Sequence, residues 1–166
     1  MLIKEQVLFS KEECESIKLY NETHIKNWIM SDRKYNSKPI DYNENTKWLF
    51  EKLKDFFEVE TGLKIIKIKK QIYLHKFIEG DWFGKHNDIR DNRLYAVGVL
   101  LNDDFKGGDF KLYNPNQYML NKEIGNTYIF DVRIEHEITP ILEGERYSLL
   151  WFLQNEHIKI ETNKLI

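Results

Sequence analysis

Four residues in the second half of the chain have the types and spacing of a metal site beside an anion site. His86 and Asp88 are separated by one residue, and His136 follows fifty positions after His86. Arg146 comes ten positions later still. Two imidazoles and one carboxylate can hold a divalent iron on one face and leave other coordination positions open. A fixed guanidinium can bind a carboxylate through two parallel hydrogen bonds, which lysine does less specifically. The pattern indicates a metal site that also binds an organic acid.

Strand parity supports a ligand role for His136. Within residues 134–138, His136 shares its face with two isoleucines while both glutamates face the other way. A lone histidine on an apolar face is more often a packed core residue than a ligand. Here the chain also offers His86 and Asp88, in a turn-like stretch after Gly84, so the three together favour a metal site.

Two helices are predicted in the first part of the chain. Residues 10–13 form a capping-box pattern, so a helix begins there and is expected to end near residue 21. Its inward face is predicted to carry Cys14, Ile17 and Tyr20. A second helix is predicted over 46–61 and stops at Gly62. Its apolar face is predicted to carry Trp48, Leu49, Leu53, Phe56 and Phe57.

The stretch between the two helices is less regular. Residues 25–30 fit a short helix or a strand equally well. Residues 31–45 are polar and predict a loop, which is either a mobile surface segment or a lid over a site.

Beyond Gly62 the apolar pattern changes from a helical period to a period of two. Short strands are predicted over residues 63–68, 71–78, 94–102, 109–113, 127–131, 135–141 and 147–154. Helices followed by strands predict a mostly β protein with α, built as an antiparallel double-sheet sandwich with the helices packed on one sheet. We expect one domain over 1–166, with a helical part at about 1–62 and the strand core at about 63–155.

Composition narrows the class of protein. The 166 residues are 42% hydrophobic and 14% aromatic, which is typical of a folded domain. The net charge of −2 gives no reason to expect nucleic acid or a membrane as a partner. Cys14 is the only cysteine, which predicts a small buried side chain and a reducing compartment. No signal-like apolar segment follows Met1, so a cytoplasmic location is expected.

Six motifs occur in a fixed order along the chain. They are H-N-D at 86–88, L-N at 101–102, G-G-D-F at 107–110, a glycine-to-phenylalanine strand at 125–130, H-E-I-T-P at 136–140 and G-E-R-Y-S at 144–148. This order and spacing resemble the Fe(II)/2-oxoglutarate-dependent dioxygenases, and within them the prolyl 4-hydroxylase-like branch. Residues 9–14 are similar to the start of the first helix in that branch. The resemblance implies that the core at about 63–155 is a double-stranded β-helix, also called a jelly roll.

The resemblance also implies a role for each matched residue. His86, Asp88 and His136 would bind iron, and Arg146 would bind the distal carboxylate of 2-oxoglutarate with a hydrogen bond from Ser148. The implied cofactors are Fe(II), 2-oxoglutarate as co-substrate and dioxygen, with ascorbate as a candidate reductant. The catalytic set is therefore His86, Asp88, His136 and Arg146.

The chain departs from the branch at two positions that often hold a tyrosine. Phe77 stands nine residues before His86, and Leu100 precedes the L-N pair. Tyr73 shares the strand face of Phe77 and is the candidate replacement for co-substrate binding, with a plain core role as the alternative.

The implied reaction is hydroxylation of an unactivated C–H bond, at a prolyl residue of a peptide or protein, coupled to decarboxylation of 2-oxoglutarate to succinate. The alternatives are the same cofactors acting on a free amino acid, a small metabolite or a nucleobase, or a non-catalytic jelly-roll binding module. Residues expected near the mouth of the sandwich, where a substrate would enter, are Trp82, Asn87, Arg90, Arg93 and Trp151. The two arginines are expected to balance Asp91 and other carboxylates at the surface.

Overall fold

The computed structural model describes residues 1–24, 29–30 and 35–159, and this part of the chain contains two α-helices and fifteen short strands. The helices are α1 (Lys11–His24) and α2 (Lys47–Thr61), followed late in the chain by a 3₁₀ turn, η1 (Asn155–His157). The strands are β1 (Ile3–Val7), β2 (Ile29–Met30), β3 (Asn36–Asp41), β4 (Lys64–Ile65), β5 (Gln71–Phe77), β6 (Phe83–His86), β7 (Arg93–Leu100), β8 (Lys106–Gly107), β9 (Phe110–Tyr113), β10 (Gln117–Met119), β11 (Asn126–Asp131), β12 (Glu135–Ile138), β13 (Ile141–Glu143), β14 (Arg146–Gln154) and β15 (Ile158–Lys159).

The described strands form a large and a smaller antiparallel sheet. The large sheet has the order β1-β11-β7-β14-β5-β3-β2, and the smaller one has the order β10-β9-β12-β6. Two short ribbons, β13-β8 and β15-β4, complete the pairing. This confirms the predicted mostly β jelly roll with antiparallel sheets.

Helix α2 covers the outer face of the large sheet. Its buried residues are Leu49, Phe50, Leu53, Phe56 and Phe57. They belong to one apolar cluster with alternate residues of β14, including Leu149 and Trp151. Because strand side chains alternate between faces, the other residues of β14 point between the two sheets. That inner face holds Arg146 and Ser148.

A second apolar cluster lies between the sheets. Phe110, Leu112 and Ile138 come from the smaller sheet, and Phe77 and Phe130 come from the large one. This cluster surrounds the polar residues of the inner face with apolar side chains.

The predicted helix boundaries agree closely with the structure. The backbone N–H of Ser10 donates to Glu13 Oε1 at 2.9 Å, and the N–H of Glu13 donates to Ser10 Oγ at 3.1 Å, which confirms the capping box. Helix α1 ends at His24, three residues later than predicted. Gly62 caps α2 with φ of 72°. Cys14 is fully buried, and burial raises the pKa of its thiol to about 12, so it is an inert core residue.

One helix-face prediction was wrong in detail. Trp48 is 39% exposed, whereas the unpredicted Phe50 is fully buried. Leu49, Phe50 and Leu53 lie on one stripe of α2, and Trp48 sits one position to its side. Its ring contacts the edge of Phe9 instead, with centroids 6.3 Å apart.

The polar stretch at 31–45 is not wholly a loop, as the sequence predicted. Residues 36–41 form β3, which pairs with β5 across its full length. Within β3, the side chains of Lys38 and Ile40 are buried. Because a lysine occupies one of these inward positions, the sequence lacks the apolar alternation that marks a strand. The pairing partners, rather than local propensity, decide this strand. Residues 25–28, from the helix or strand predicted at 25–30, and residues 31–34, from the loop predicted at 31–45, lie outside the described residues.

The first 62 residues are also not purely helical. Strands β1 and β3 from this part join the large sheet, with β1 at one edge beside β11. The predicted strand at 135–141 is divided at Thr139 and Pro140 into β12 and β13. Neither helix among the described residues is long and apolar enough to span a bilayer.

Candidate metal centre and co-substrate pocket

His86 and His136 face each other across an antiparallel strand pair. The sequence placed His86 in a turn, but it is the last residue of β6 and is directly opposite His136 on β12. Residues opposite each other on paired strands have neighbouring side chains, so their rings lie with centroids 4.3 Å apart. Strand register therefore brings together two imidazoles that are fifty residues apart in the chain.

Asp88 completes the cluster from the segment after β6. Its backbone N–H donates to the carbonyl of Val132 at 3.0 Å, which fixes the segment beside β12. One carboxylate oxygen lies 3.5 Å from His86 Nε2 and the other 3.2 Å from His136 Nε2. Burial alone would raise the pKa of Asp88, but the two imidazoles outweigh it and hold that pKa well below its usual range. Asp88 is therefore a carboxylate at neutral pH.

Backbone carbonyls set the tautomer of both histidines. His86 Nδ1 lies 2.6 Å from the carbonyl oxygen of Gly84, and His136 Nδ1 lies 2.9 Å from that of Ile134. A carbonyl can only accept, so each imidazole donates from Nδ1 and leaves Nε2, which faces the Asp88 carboxylate, as the nitrogen for a metal ion.

These three side chains fit a metal ion. Their ligand atoms lie within 4.8 Å of one another, and His86 Nε2 and Asp88 Oδ2 are buried without a hydrogen-bond partner among the described residues. Two imidazole nitrogens and a carboxylate in so small a space can hold a cation in place of protons, and the carbonyl contacts orient the ligands as is usual around metals. The structure brings together all three predicted ligands.

Arg146 lies on the inner face of β14 and is only 3% exposed. Its Nη1 donates to Ser148 Oγ at 3.1 Å, and its guanidinium also hydrogen-bonds the hydroxyl of Tyr128. Its Nε has no partner among the described residues. Burial lowers the pKa of Arg146 from its ordinary value, but an arginine remains charged at neutral pH. A buried cation without a carboxylate partner fits an anionic ligand.

Two of the sequence motifs fix the strand that carries Arg146. Asn102, from the L-N motif, accepts the N–H of Tyr147 at 2.8 Å and donates to the carbonyl of Glu145 at 2.7 Å. Gly108, from the G-G-D-F motif, has φ of 61°, and a Cβ there would lie 3.1 Å from Arg146 Cδ. Both motifs therefore position the guanidinium.

Tyr128 is a site residue that the sequence analysis missed. It lies on β11 opposite Gly98 of β7, and its ring crosses the space that a side chain at Gly98 would fill. The position of Tyr128 two residues before the phenylalanine of the 125–130 motif was an available signal, because this parity gives both side chains the same face.

We expect Gly98→Ala to displace Tyr128, because the added methyl group would overlap the phenol ring. Overpacking of this kind should destabilise the protein by about 1 to 3 kcal/mol in thermal unfolding. In a Gly98→Ala/Tyr128→Ala double variant the overlap is absent, so the loss should be smaller than the sum of the two single losses. Additive losses would contradict the contact.

His75 is a second residue that the sequence analysis missed, although it shares the strand face of Tyr73 and Phe77. It pairs with Ser148 on β14, and Tyr35 lies against its ring with centroids 4.8 Å apart. Burial and the nearby charge of Arg146 lower the pKa of His75 to about 3. A neutral imidazole therefore lines the pocket beside Arg146.

The neutral state of His75 predicts a pH effect on stability. The ordinary pKa is 6.5, so between about pH 3 and 6.5 the unfolded chain binds more protons at this residue than the folded one. The stabilisation is fully present above pH 6.5 and is lost as the pH falls towards 3. In denaturant titrations, His75→Gln should lose less unfolding free energy than the wild type between pH 6.5 and 4. Equal losses would show that His75 is protonated in the fold.

One cavity of about 430 Å³ contains the metal ligands and the pocket beside Arg146. Ser148 and Tyr73, both predicted to bind the co-substrate, line it. Tyr73 pairs with Leu150, four register positions beyond the Phe77–Arg146 pair, and its hydroxyl donates to Gln71 at 2.8 Å. The phenol that contacts Arg146 is that of Tyr128. A role for Tyr73 in co-substrate binding therefore stays a prediction.

The residues expected at the mouth occupy different places in the structure. Arg90 and Arg93 line the cavity. Trp82 is 43% exposed and its ring packs over Gly84. Trp151, in contrast, was misplaced by the sequence analysis, because it is fully buried on the helix side of β14 and donates to the carbonyl of Lys69.

Comparison with known proteins identifies the fold. No family model matches the chain, and no curated protein matches it in sequence. A prolyl-4-hydroxylase from Pseudomonas putida superposes with a TM-score of 0.76 at 15% identity, over 92% of this chain and 92% of that one. An oxidoreductase of the 2OG-Fe(II) oxygenase family from Burkholderia pseudomallei gives 0.75 at 16% identity, over 90% and 84%.

A third similar structure is a prolyl hydroxylase from Trichoplax adhaerens in complex with a hypoxia inducible factor oxygen degradation domain peptide fragment. It gives a TM-score of 0.72 at 19% identity, over 93% of this chain and 84% of that one. The chain therefore has the fold of the 2-oxoglutarate-Fe(II) oxygenases, prolyl hydroxylases among them, and within that fold it assembles His86, Asp88 and His136.

Proposed function

We propose that this protein is an Fe(II)- and 2-oxoglutarate-dependent dioxygenase that hydroxylates a prolyl residue in a peptide or protein. The observation that carries the proposal is that one cavity is lined by three metal-ligand side chains and by Ser148 and Tyr128, the partners of a buried guanidinium with no carboxylate among the described residues. Neither feature stabilises the ligand-free protein, because each leaves buried polar atoms without a hydrogen-bond partner among the described residues.

Different residues of the site would hold the metal and the co-substrate. His86, Asp88 and His136 would hold Fe(II), and Arg146 with Ser148 and Tyr128 would hold the distal carboxylate of 2-oxoglutarate. When bound, the pair supplies the oxidation, in which one atom of dioxygen enters the substrate C–H bond, the other enters succinate, and carbon dioxide is released. Phe110, Phe130 and Phe152 line the cavity and limit the access of water to it.

The prolyl substrate is supported by the similar structures. Two of those compared are prolyl hydroxylases, and one of these contains a peptide fragment. A cytoplasmic location and the use of ascorbate belong to the same proposal, supported by the single buried thiol and by the need to keep iron reduced.

Anaerobic titration followed by turnover tests the proposal. We expect the purified protein to bind Fe(II), and 2-oxoglutarate in its presence, by calorimetry. In air with ascorbate, a panel of proline-containing peptides should include some that increase succinate formation and gain the mass of one oxygen atom. Failure to bind either cofactor would instead support a non-catalytic binding module, and binding without a peptide that reacts would contradict the prolyl assignment.

A further inference from the structure

The cavity contains a second positively charged region that the proposed function leaves without a role. Arg146 is the first residue of β14, whereas the guanidinium of Arg93 lies over Phe152, six residues further along that strand. Six residues of a strand span about 20 Å. A molecule of 2-oxoglutarate held at Arg146 is too short to reach Arg93, so the second guanidinium is available to a different ligand.

The turn that carries Arg90 and Arg93 is held in place. The N–H of Arg93 donates to the carbonyl of Arg90 at 3.0 Å, and the two residues between them have φ of 51° and 57°, as in a type I′ turn. The side chain of Gln154 donates to the carbonyl of Asp91 at 2.8 Å, and a further backbone bond ties the turn to the start of η1. Both arginine side chains therefore start from a fixed backbone.

The guanidinium of Arg93 is oriented by an aromatic ring. Its Cζ lies 3.6 Å from the centroid of the Phe152 ring, and the side chain is half-buried. Among the described residues no carboxylate lies within ion-pair distance of it, contrary to the expected pairing at the surface. Arg90 does approach Asp91, at 3.9 Å, but both side chains are exposed and such contacts contribute little.

The electrostatics favour an incoming anion at Arg93. Burial and the like charge of Arg90 lower the pKa of Arg93, while Asp88 and Asp91 act more weakly in the opposite direction. A guanidinium stacked on an aromatic ring keeps the edges of its planar fork free for a bidentate carboxylate.

The wall between Arg93 and the metal ligands is apolar. Phe152 and Phe130 line this part of the cavity on either side of Ala96 in β7, and the ring of Phe130 lies 4.8 Å from that of His136. A ligand that binds here would place an apolar body against the phenylalanines and close to His136, with its charge at the mouth.

We infer that the substrate presents a carboxylate to Arg93, with Arg90 beside it, while its reacting apolar part lies against Phe130 and Phe152. This inference rests on the proposed Fe(II)- and 2-oxoglutarate-dependent reaction and specifies its substrate, and the free-acid outcome would replace the peptide substrate of the proposed function. Two sources have the required chemistry. One is the carboxylate of a free amino acid, and the other is an acidic side chain next to the target residue in a peptide.

Pairs of probes that differ only in charge test this inference. The first pair is free proline and prolinamide, and the second is a peptide capped at both ends with Glu-Pro and its Gln-Pro counterpart. Binding is measured by anaerobic calorimetry on the protein with Fe(II) and 2-oxoglutarate, and turnover is measured by succinate formation with Fe(II), ascorbate and dioxygen. For at least one pair, we expect the acid to exceed its amide by about tenfold or more in both affinity and kcat/KM.

The choice of pair identifies the source of the carboxylate. Preference for proline over prolinamide assigns the free acid, and preference for the Glu-Pro peptide assigns the acidic side chain. In Arg93→Met, which keeps an apolar stem over Phe152, the ratio of acid to amide should fall to about one. Arg93→Lys should retain part of it. Arg133→Met, which changes an exposed arginine away from the cavity lining, should leave the ratio unchanged.

Equal binding and turnover of acid and amide in both pairs by the wild-type protein would overturn the inference, whatever the variants do. That outcome differs from failure of the proposed function, in which no probe would raise succinate formation and neither Fe(II) nor 2-oxoglutarate would bind. A discrimination that survives Arg93→Met would also overturn it, because another residue would then select the charge.

Discussion

The His136→Ala variant is expected to lose Fe(II) binding and 2-oxoglutarate turnover while keeping its fold. Changes to residues that only orient a metal ligand weaken metal binding by about 10- to 100-fold, and loss of one of three ligands should exceed that range. The deleted ring leaves a cavity between Phe110 and Phe130, which should destabilise the protein by about 2 kcal/mol. Calorimetric titration with Fe(II) and thermal unfolding measure the two effects.

A matched control lies on the same strand. Glu135 is exposed and faces away from the cavity, so Glu135→Ala should bind Fe(II) with unchanged affinity. If His136→Ala retained wild-type turnover of 2-oxoglutarate, the metal-ligand assignment would be wrong. Its failure to fold would show that the imidazole is a packing residue first.

Arg146→Met is expected to separate stability from co-substrate binding. The ligand-free protein buries the guanidinium without a carboxylate among its described residues, and such a charge is costly to desolvate. Methionine of similar length should therefore leave the ligand-free melting temperature unchanged or raise it. The affinity for 2-oxoglutarate should fall by about 100-fold, since a bidentate charged contact is lost.

Ligand-dependent stabilisation makes this prediction measurable without turnover. At 2-oxoglutarate concentrations of about 100 times the dissociation constant, the wild-type free energy of unfolding should rise by roughly 2.7 kcal/mol. The rise should nearly disappear in Arg146→Met and be partly kept in Arg146→Lys, which retains the charge but not the planar fork. A wild-type rise in the methionine variant would place the co-substrate elsewhere.

Much of the candidate site could be predicted because residue types and strand parity can be read from short segments of the sequence. The residue types of His86, Asp88, His136 and Arg146 restrict the metal and the acid that they can bind. Strand parity also predicted correctly that His136 faces the interior, and that Ser148 shares the face of Arg146. The capping box and Gly62 fixed helix ends to within a few residues, since capping depends on neighbouring residues only.

The errors have a common cause, which is pairing with distant strands. Strand β3 was hidden in a polar stretch because its stability comes from β5 rather than from its own composition. Trp151 was wrongly expected at the mouth, because its parity on β14 is opposite to that of Ser148 and turns it towards α2.

By itself, then, the sequence determined which chemical groups this protein offers, their order, and the face of each strand on which they lie. The tertiary structure alone decided which of them meet. Register sets His86 opposite His136, lays Tyr128 over Gly98 within reach of Arg146, and leaves Arg93 stacked on Phe152 at the far end of the same cavity. Side-chain alternation repeats within a strand and can be read locally, whereas register depends on hydrogen bonds between segments far apart in the chain.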